Sequence, residues 1–369
     1  MRAKRGGERL ASGGADAEPG RSEAPSSERD MDPFRSGAII ADKFRIERVL
    51  GEGAMGIVLA ARHLVLDEMV AIKCVRPELQ SVPDTFGRFA REAKTSARLH
   101  SDHIARVLDV GVAVPIGPYM VMEYLEGRDL ALVLQQEGPL AVATAAEYGL
   151  QICEALALAH AASITHLDLK PQNLFLTRRG ELELVKVLDF GIAKGPLGRS
   201  LLGGAPSAAE SSCVMGTPRY MSPEQIHAGH EIDCRSDIWS LGAVLFELLS
   251  GRPAFLGDHV TELCTAVLRA EAPNLLDERP SLPKPLAAAI QRCLEKAPAR
   301  RFQNAAELAR ALLPFAPPRA RLHAERASAV LPTHVPVLLG DAQAGPASVP
   351  PSSRSAHARR AAKKTADRR

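Results

Sequence analysis

The sequence lacks most of what secreted, membrane-spanning and nucleic-acid-binding proteins need. No run of eighteen or more apolar residues occurs, whereas a helix crossing a bilayer needs about 20. The opening "MRAKRGGERLASGG" is charged and has no apolar stretch of the leader-peptide kind. The six cysteines, Cys74, Cys153, Cys213, Cys234, Cys264 and Cys293, include no C-x-x-C pair. That excludes a disulfide frame or a zinc site built from such pairs and predicts reduced thiols in a cytoplasmic protein. A formal net charge of only +3 gives no global pull toward nucleic acid or membrane. The basic excess is local: from Pro317 to Arg369 there are ten Lys/Arg against three acids, and no aromatic residue. Without aromatics for base stacking, no specific nucleic acid is expected, and the tail suits acidic partners in general. No internal repeat is present.

What is there sorts into three parts. Residues 1–42 are rich in Gly, Ser, Ala, Glu and Arg without periodicity, and are expected to be disordered because they bury too little apolar area to offset ordering entropy. Met31 is a candidate alternative start. From Phe44 the pattern becomes strand-like, "FRIERVL", "GIVLAARHLV" and "MVAIKCV". A helix follows over "DTFGRFAREAKTSARL", with Phe86, Phe89, Ala93 and Ala97 at helical spacing. Two further strands, "IARVLDVGV" and "YMVMEYL", complete a small sheet. The second half is helical: "TAAEYGLQICEALALAHAA" reads as amphipathic, and "DIWSLGAVLFELLSG" as a buried central helix closed by a capping Gly. The fold class is α+β in two lobes, about 43–124 and 125–315. Residues 316–369 are expected to form a disordered basic tail.

"GEGAMGIV" carries Gly51, Gly53 and Gly56 as G-x-G-x-x-G. Alone this is a weak signal, since a plain turn explains it equally well. The glycines stand between two strands instead of opening a helix, which argues for a hairpin closing over phosphates with its backbone N–H groups and against a dinucleotide fold. In "VAIK", Lys73 sits in an apolar run, and a cation there needs a partner; Glu92 on the following helix is the candidate. "HLDLKPQN" places Asp168, Lys170 and Asn173 at offsets suited to phosphoryl transfer, and "LDFG" puts Asp189 sixteen residues after Asn173. With "SPE" downstream, their joint occurrence is beyond chance.

In this order "GEGAMGIV", "VAIK", "HLDLKPQN", "DFG", "GTPRYMSPE" and "SDIWSLG" resemble the eukaryotic-like serine/threonine protein kinases, their bacterial members above all. The resemblance covers about Phe44 to Leu313. It implies a two-lobed protein kinase fold, with a small antiparallel sheet lobe bearing one helix and a larger helical lobe. It also implies ATP and protein substrates, and Mg2+ with Mn2+ as a substitute. By resemblance, Lys73 holds the α/β-phosphates and is held by Glu92, and Asp189 and Asn173 ligate the metal. Asp168 orients or takes the acceptor hydroxyl's proton, with Lys170 offsetting charge. Leu50, Val58, Ala71 and Phe175 sandwich adenine, the backbone near Glu123 and Leu125 reads its edge, and Met122 stands behind it. Thr217 joins Asp168 and Lys170 in a cluster suited to an aliphatic hydroxyl. Glu224 pairs with Arg301, and Asp237 either anchors the catalytic loop or caps its own helix.

Two departures from the family pattern, Ala297 before Pro298 and "SPE" for "APE", leave the chemistry intact. The third is Leu167. Where most relatives carry an Arg that grips a phosphate on the activation segment, a leucine has no charge to offer. The implied consequence is activity, including self-phosphorylation, that does not strictly depend on phosphorylation of that segment, whose hydroxyls include Ser207, Ser211, Ser212 and Thr217. A pseudokinase scaffold that binds nucleotide and partner proteins is the competing reading.

Overall fold

The computed structural model describes residues 33–53, 56–76, 85–190, 218–227 and 231–331. Ser207, Ser211, Ser212 and Thr217 lie outside the described residues, as do 1–32 and 332–369. No described helix is long and apolar enough to cross a membrane.

The β-branched alternation of the first third folds into a six-stranded antiparallel sheet in the order β1-β2-β3-β4-β6-β5. Its strands are β1 (Ile39–Ile40), β2 (Phe44–Glu52), β3 (Gly56–His63), β4 (Met69–Val75), β5 (Val107–Ala113) and β6 (Gly117–Glu123). One face buries Phe44, Ile46, Leu59, Ile72 and Val121. Helix α1 (Thr85–Ser96) brings Phe89 and Ala93 onto Val75 and Met120. Ala97 falls past the end of α1 and is exposed.

Two expectations about the amino-terminal part need correction. Residues 33–42 are folded, with Phe34 and Ile40 buried in the sheet's core cluster and Ile39–Ile40 pairing with β2. A two-residue strand is too short to show a period, so it left no pattern to read. Because of it, Lys73 stands on the fourth strand, not the third.

A second sheet, β7 (Gly127–Asp129), β8 (Leu174–Arg179) and β9 (Leu182–Val187), lies in the helical lobe. Helix α2 (Leu130–Glu137), with Asp129 as its N-cap, leads to α3 (Val142–Ala161). The short α4 (Pro223–Ile226) is opened by a capping box in which Ser222 and Gln225 serve each other's backbone. The apolar run predicted as a central helix is α5 (Cys234–Ser250), buried on all sides and ended by Gly251 at φ +81°, the left-handed conformation a terminating glycine supplies without steric cost. Then come α6 (Val260–Arg269), α7 (Leu275–Glu278), α8 (Lys284–Cys293) and α9 (Ala305–Leu312).

The largest correction concerns residues 316–369. Pro318–Ala320 forms a 3-10 turn and Arg321–Val330 forms helix α10, with Ala320, Ala324 and Ala327 buried in the main core. Arg319 makes a two-pronged contact to Glu147 at 2.6 Å per prong, and His323 reaches Glu154 at 2.6 Å. The docked segment covers the face of α3 that was expected to meet solvent, so α3 is buried on nearly every side, Glu147 included. Truncation after Pro317 should therefore destabilise the lobe. Loss of apolar contact alone costs about 2 kcal/mol, on the order of 5 °C in Tm for a domain of this size. Calorimetry of the truncated chain measures this, and an unchanged Tm would show that α10 contributes no stability.

Candidate active site

Helix α1 points Glu92 at β4 because Glu92 lies between Phe89 and Ala93, the residues that fix its inner face. Its carboxylate meets the Lys73 ammonium at 2.7 Å, and Asp189 meets the same ammonium at 2.9 Å. Burial by itself would strip the proton from Lys73, but Asp189 and Glu92 outweigh it and hold the group charged, its pKa above the ordinary lysine value. Burial pushes the Glu92 carboxyl upward while Lys73 pulls against it. Asp189 keeps 39% of its side chain exposed toward solvent, against 12% for Lys73.

The loop "HLDLKPQN" is fixed from beneath by Asp237. Its two oxygens accept the backbone N–H groups of His166 at 2.8 Å and Leu167 at 2.9 Å, and His160 Nε2 lies 2.8 Å from the first of them. Burial would raise the Asp237 pKa, yet the hydrogen bonds from His160 and the loop hold it below the usual carboxylate range. The N-cap of α5 is Asp233, so of the two roles open to Asp237 the structure shows the anchoring one. With both N–H groups held, Leu167 takes φ +63°, a left-handed conformation that costs a leucine about 1–2 kcal/mol. Its carbonyl accepts from Gln225 Nε2 at 2.9 Å. This ties the loop to α4 through the backbone, whatever side chain stands at 167.

Above this anchor, Asp168 accepts from Lys170 Nζ at 3.0 Å and from Asn173 Nδ2 at 3.2 Å, and Asn173 Nδ2 also donates to the Asp168 carbonyl at 2.8 Å. These bonds use the amide nitrogen of Asn173, so its carbonyl oxygen stays available as a hard donor. His166 Nε2 donates to the Leu188 carbonyl at 2.9 Å, and its ring packs on Phe190. The catalytic-loop sequence and the segment Leu188–Phe190 are thereby one assembly. Thr217, expected to join Asp168 and Lys170, lies outside the described residues.

The glycines differ. A Cβ on Gly51 would meet nothing within 4 Å, and one on Gly53 would make only an ordinary 3.9 Å contact. A Cβ on Gly56 would stand 2.3 Å from the Cys74 carbonyl oxygen, so β3 approaches β4 too closely for any other residue. Next to this hairpin stand Leu50 on β2, at the register shift between Val49 and Gly51, Val58 on β3, and Ala71 on β4 near the end of β6. Val58 is opposite Lys73, and Ala71 is opposite Met122. Phe175 lies on β8, level with Asp129. The Glu123 side chain is already engaged, accepting from Lys186 at 2.8 Å and from the Arg106 N–H at 2.7 Å.

Glu224 and Arg301 meet as expected, with guanidinium nitrogens 2.6 and 2.8 Å from the two carboxylate oxygens. Arg301 is fully buried, and its remaining N–H groups donate to the carbonyls of Arg235, Glu295 and Lys296. Sequence reasoning missed Gln225, His160 and the Lys186–Glu123 pair. Only the first had a readable signal, the S-x-x-Q capping box.

A curled antiparallel sheet over a helical lobe, with a Lys–Glu–Asp cluster near one Asp–Lys–Asn cluster, defines the two-lobed kinase fold. The chain belongs to the protein kinase domain family, which matches residues 44–312. It is 40% identical over 272 residues to the serine/threonine-protein kinase pkn3 of Myxococcus xanthus, covering 73% of this chain and 49% of that one. It is 37% identical over 272 residues to the serine/threonine-protein kinase PknB of Mycolicibacterium smegmatis, covering 73% and 42%. The chain thus spans about half the length, or less, of these curated relatives. Among solved structures it is similar to the Mycobacterium tuberculosis PknI kinase domain, with TM-score 0.59 and 27% identity over 76% of this chain and 99% of that one.

Proposed function

We propose that the protein transfers the γ-phosphate of ATP to Ser and Thr hydroxyls of proteins, itself included, in the cytoplasm. The observation that supports this most is Lys73 held charged between Glu92 and Asp189, since phosphoryl transfer asks chiefly for fixed positive charge and alignment. The bare backbone at Gly51 and Gly53 leaves room for phosphates. The Asn173 carbonyl and the exposed Asp189 carboxylate are the hard oxygen donors that suit Mg2+, or Mn2+ in its place. When bound, the metal offsets charge on the phosphate oxygens.

In this reading the Asp168 carboxylate takes the acceptor hydroxyl's proton as that oxygen bonds to the γ-phosphorus and the bridge to ADP breaks. Lys170 keeps Asp168 oriented and offsets charge on the moving phosphoryl. Leu50, Val58, Ala71 and Phe175 enclose the adenine. With the Glu123 side chain turned to Lys186, the backbone from Glu123 to Leu125 is left to read the base edge, and Met122 stands behind it. The basic residues beyond 331 serve acidic partners, through contacts that added salt would weaken. Transfer of labelled γ-phosphate to a Ser/Thr peptide and to the chain itself tests the activity; nucleotide binding without transfer would instead support the scaffold reading.

Activity is expected not to depend strictly on phosphorylation of the activation segment. The Gln225 contact and the Asp237 anchor hold the Leu167 backbone without any phosphate. A Ser207→Ala, Ser211→Ala, Ser212→Ala variant, and protein treated with phosphatase, should keep turnover within a few-fold of the untreated chain. A hundredfold loss, about 2.7 kcal/mol of transition-state stabilisation, would show that a loop phosphate governs the enzyme through another cation.

A further inference from the structure

Away from the Lys73 and Asp168 clusters, side chains from three distant parts of the chain converge. His103 comes from the loop before β5, Glu154 from α3 and His323 from α10. His103 Nε2 lies 3.7 Å from Glu154 Oε2, His323 Nδ1 lies 2.6 Å from the same oxygen, and one donor atom from each residue falls within 4.8 Å of the others. We propose that His103, Glu154 and His323 bind a divalent transition ion of the zinc type, which fastens helix α10 to the kinase core.

The tautomer of His103 favours this. Its Nδ1 lies 2.9 Å from the Val185 carbonyl, an acceptor only, so Nδ1 carries the hydrogen and Nε2 presents a lone pair to the cluster. A backbone carbonyl holding the far nitrogen is the usual way a metal-binding imidazole is oriented. Glu154 is braced likewise, its second oxygen accepting from Arg326 at 3.3 Å. Bonds of about 2.0–2.1 Å in a tetrahedral site set neighbouring donors about 3.3 Å apart. The His103–Glu154 separation is close to that; the Glu154–His323 contact must open by under about 1 Å as the ion displaces its bridging proton to solvent, and the His103 and His323 donors, within 4.8 Å, must draw together by up to about 1.5 Å. The His323 ring then keeps its single proton on Nε2. Two imidazoles and one carboxylate suit Zn2+ and disfavour Mg2+ or Ca2+, so the Mg2+ proposed for the cleft does not compete.

The fourth position has somewhere to open. Of the three ligands Glu154 alone lines a cavity of about 610 Å³, with Asp102, Arg106, Lys186, Arg326 and Val330, so a water ligand and a route of entry would come from the Glu154 side. The ion would join more than two helices. The His103 carbonyl accepts from Val187 N–H at 2.9 Å, and Val187 lies two residues before Asp189. An ion on His103 therefore ties α10 to the strand that delivers Asp189.

The test uses the full chain, free of any histidine tag, stripped of metal and then saturated with Mg2+ to fill the cleft. Calorimetric titration with ZnCl2 should show one equivalent bound with Kd below about 1 μM and a Tm that rises with Zn2+ concentration. Co2+ should give the intense visible bands of a four-coordinate site. His323→Ala should weaken Zn2+ at least tenfold and abolish the Co2+ bands. It is the decisive variant, because its ring is on the outer helix α10 and its loss does not empty the core, as His103→Gln could. Zn2+ affinity and Co2+ spectrum unchanged in His323→Ala, or no Zn2+ bound below about 10 μM by the unaltered chain, would overturn the proposal and leave a His–Glu hydrogen bond only.

Discussion

Asp168→Asn is expected to lower turnover on a Ser/Thr peptide by about a thousandfold, roughly 4 kcal/mol of transition-state stabilisation, with little change in the KM for ATP. Asparagine has the same shape, and its oxygen can still accept from Lys170 as Asp168 does at 3.0 Å. It cannot take a proton or bring negative charge to the acceptor hydroxyl. The loop itself should stay in place, because Asp237 holds His166 and Leu167 by their backbone N–H groups. The Tm should therefore match that of the unaltered chain while turnover falls. Near-normal turnover by Asp168→Asn would remove Asp168 from the chemistry, whereas a parallel loss of Tm would assign it a structural role.

The largest expected effect on stability comes from Glu224→Gln. Arg301 is buried completely and both carboxylate oxygens of Glu224 face it. Glutamine offers one acceptor and turns an N–H2 group toward another donor. A guanidinium left without a counter-charge in the interior costs about 3–5 kcal/mol, and denaturant unfolding should show a loss of that size. Replacing both residues by Met should restore much of it, since a buried pair exchanged for packed apolar groups is often neutral. The pH dependence has a definite sign. Burial raises the Glu224 pKa, but Arg301 and Ser236 hold it below its ordinary 4.5. Its stabilisation is complete above 4.5 and is lost as pH falls through the lower folded value. The gap between Glu224→Gln and the unaltered chain should narrow below that pH; a gap that stays constant would mean that the carboxylate charge does not carry the effect.

The parts of the site that could be read in the sequence were those where burial leaves a residue no alternative. Lys73 in an apolar strand had to find an acid, and Glu92 shares a helix face with Phe89 and Ala93. The central helix was legible because "DIWSLGAVLFELL" has no polar face to expose. What stayed hidden lacks that signature. The loop anchor at Asp237 was open only through the family resemblance, and its contact with His160, 77 residues away, through nothing at all, since no spacing rule covers such a pairing. Helix α10 and the turn before it dock through Ala324, Ala327 and Ala320. Small side chains let helices approach closely but leave no stripe of large apolar residues, so the segment reads as a polar tail. Its charge misled as well: Arg319, counted toward a free basic tail, is paired with Glu147.

The three glycines of "GEGAMG" look like one motif, but they answer to different masters. Gly56 is required by the fold, since the Cys74 carbonyl occupies the place of its missing side chain. Gly51 and Gly53 meet no such obstacle, and nothing within the described protein forbids a larger residue there. A chain that had given up catalysis would still have to keep the third glycine and would be free to lose the first two. The fold thus accounts for one glycine, and the other two stand where the proposed ATP phosphates would need a bare backbone.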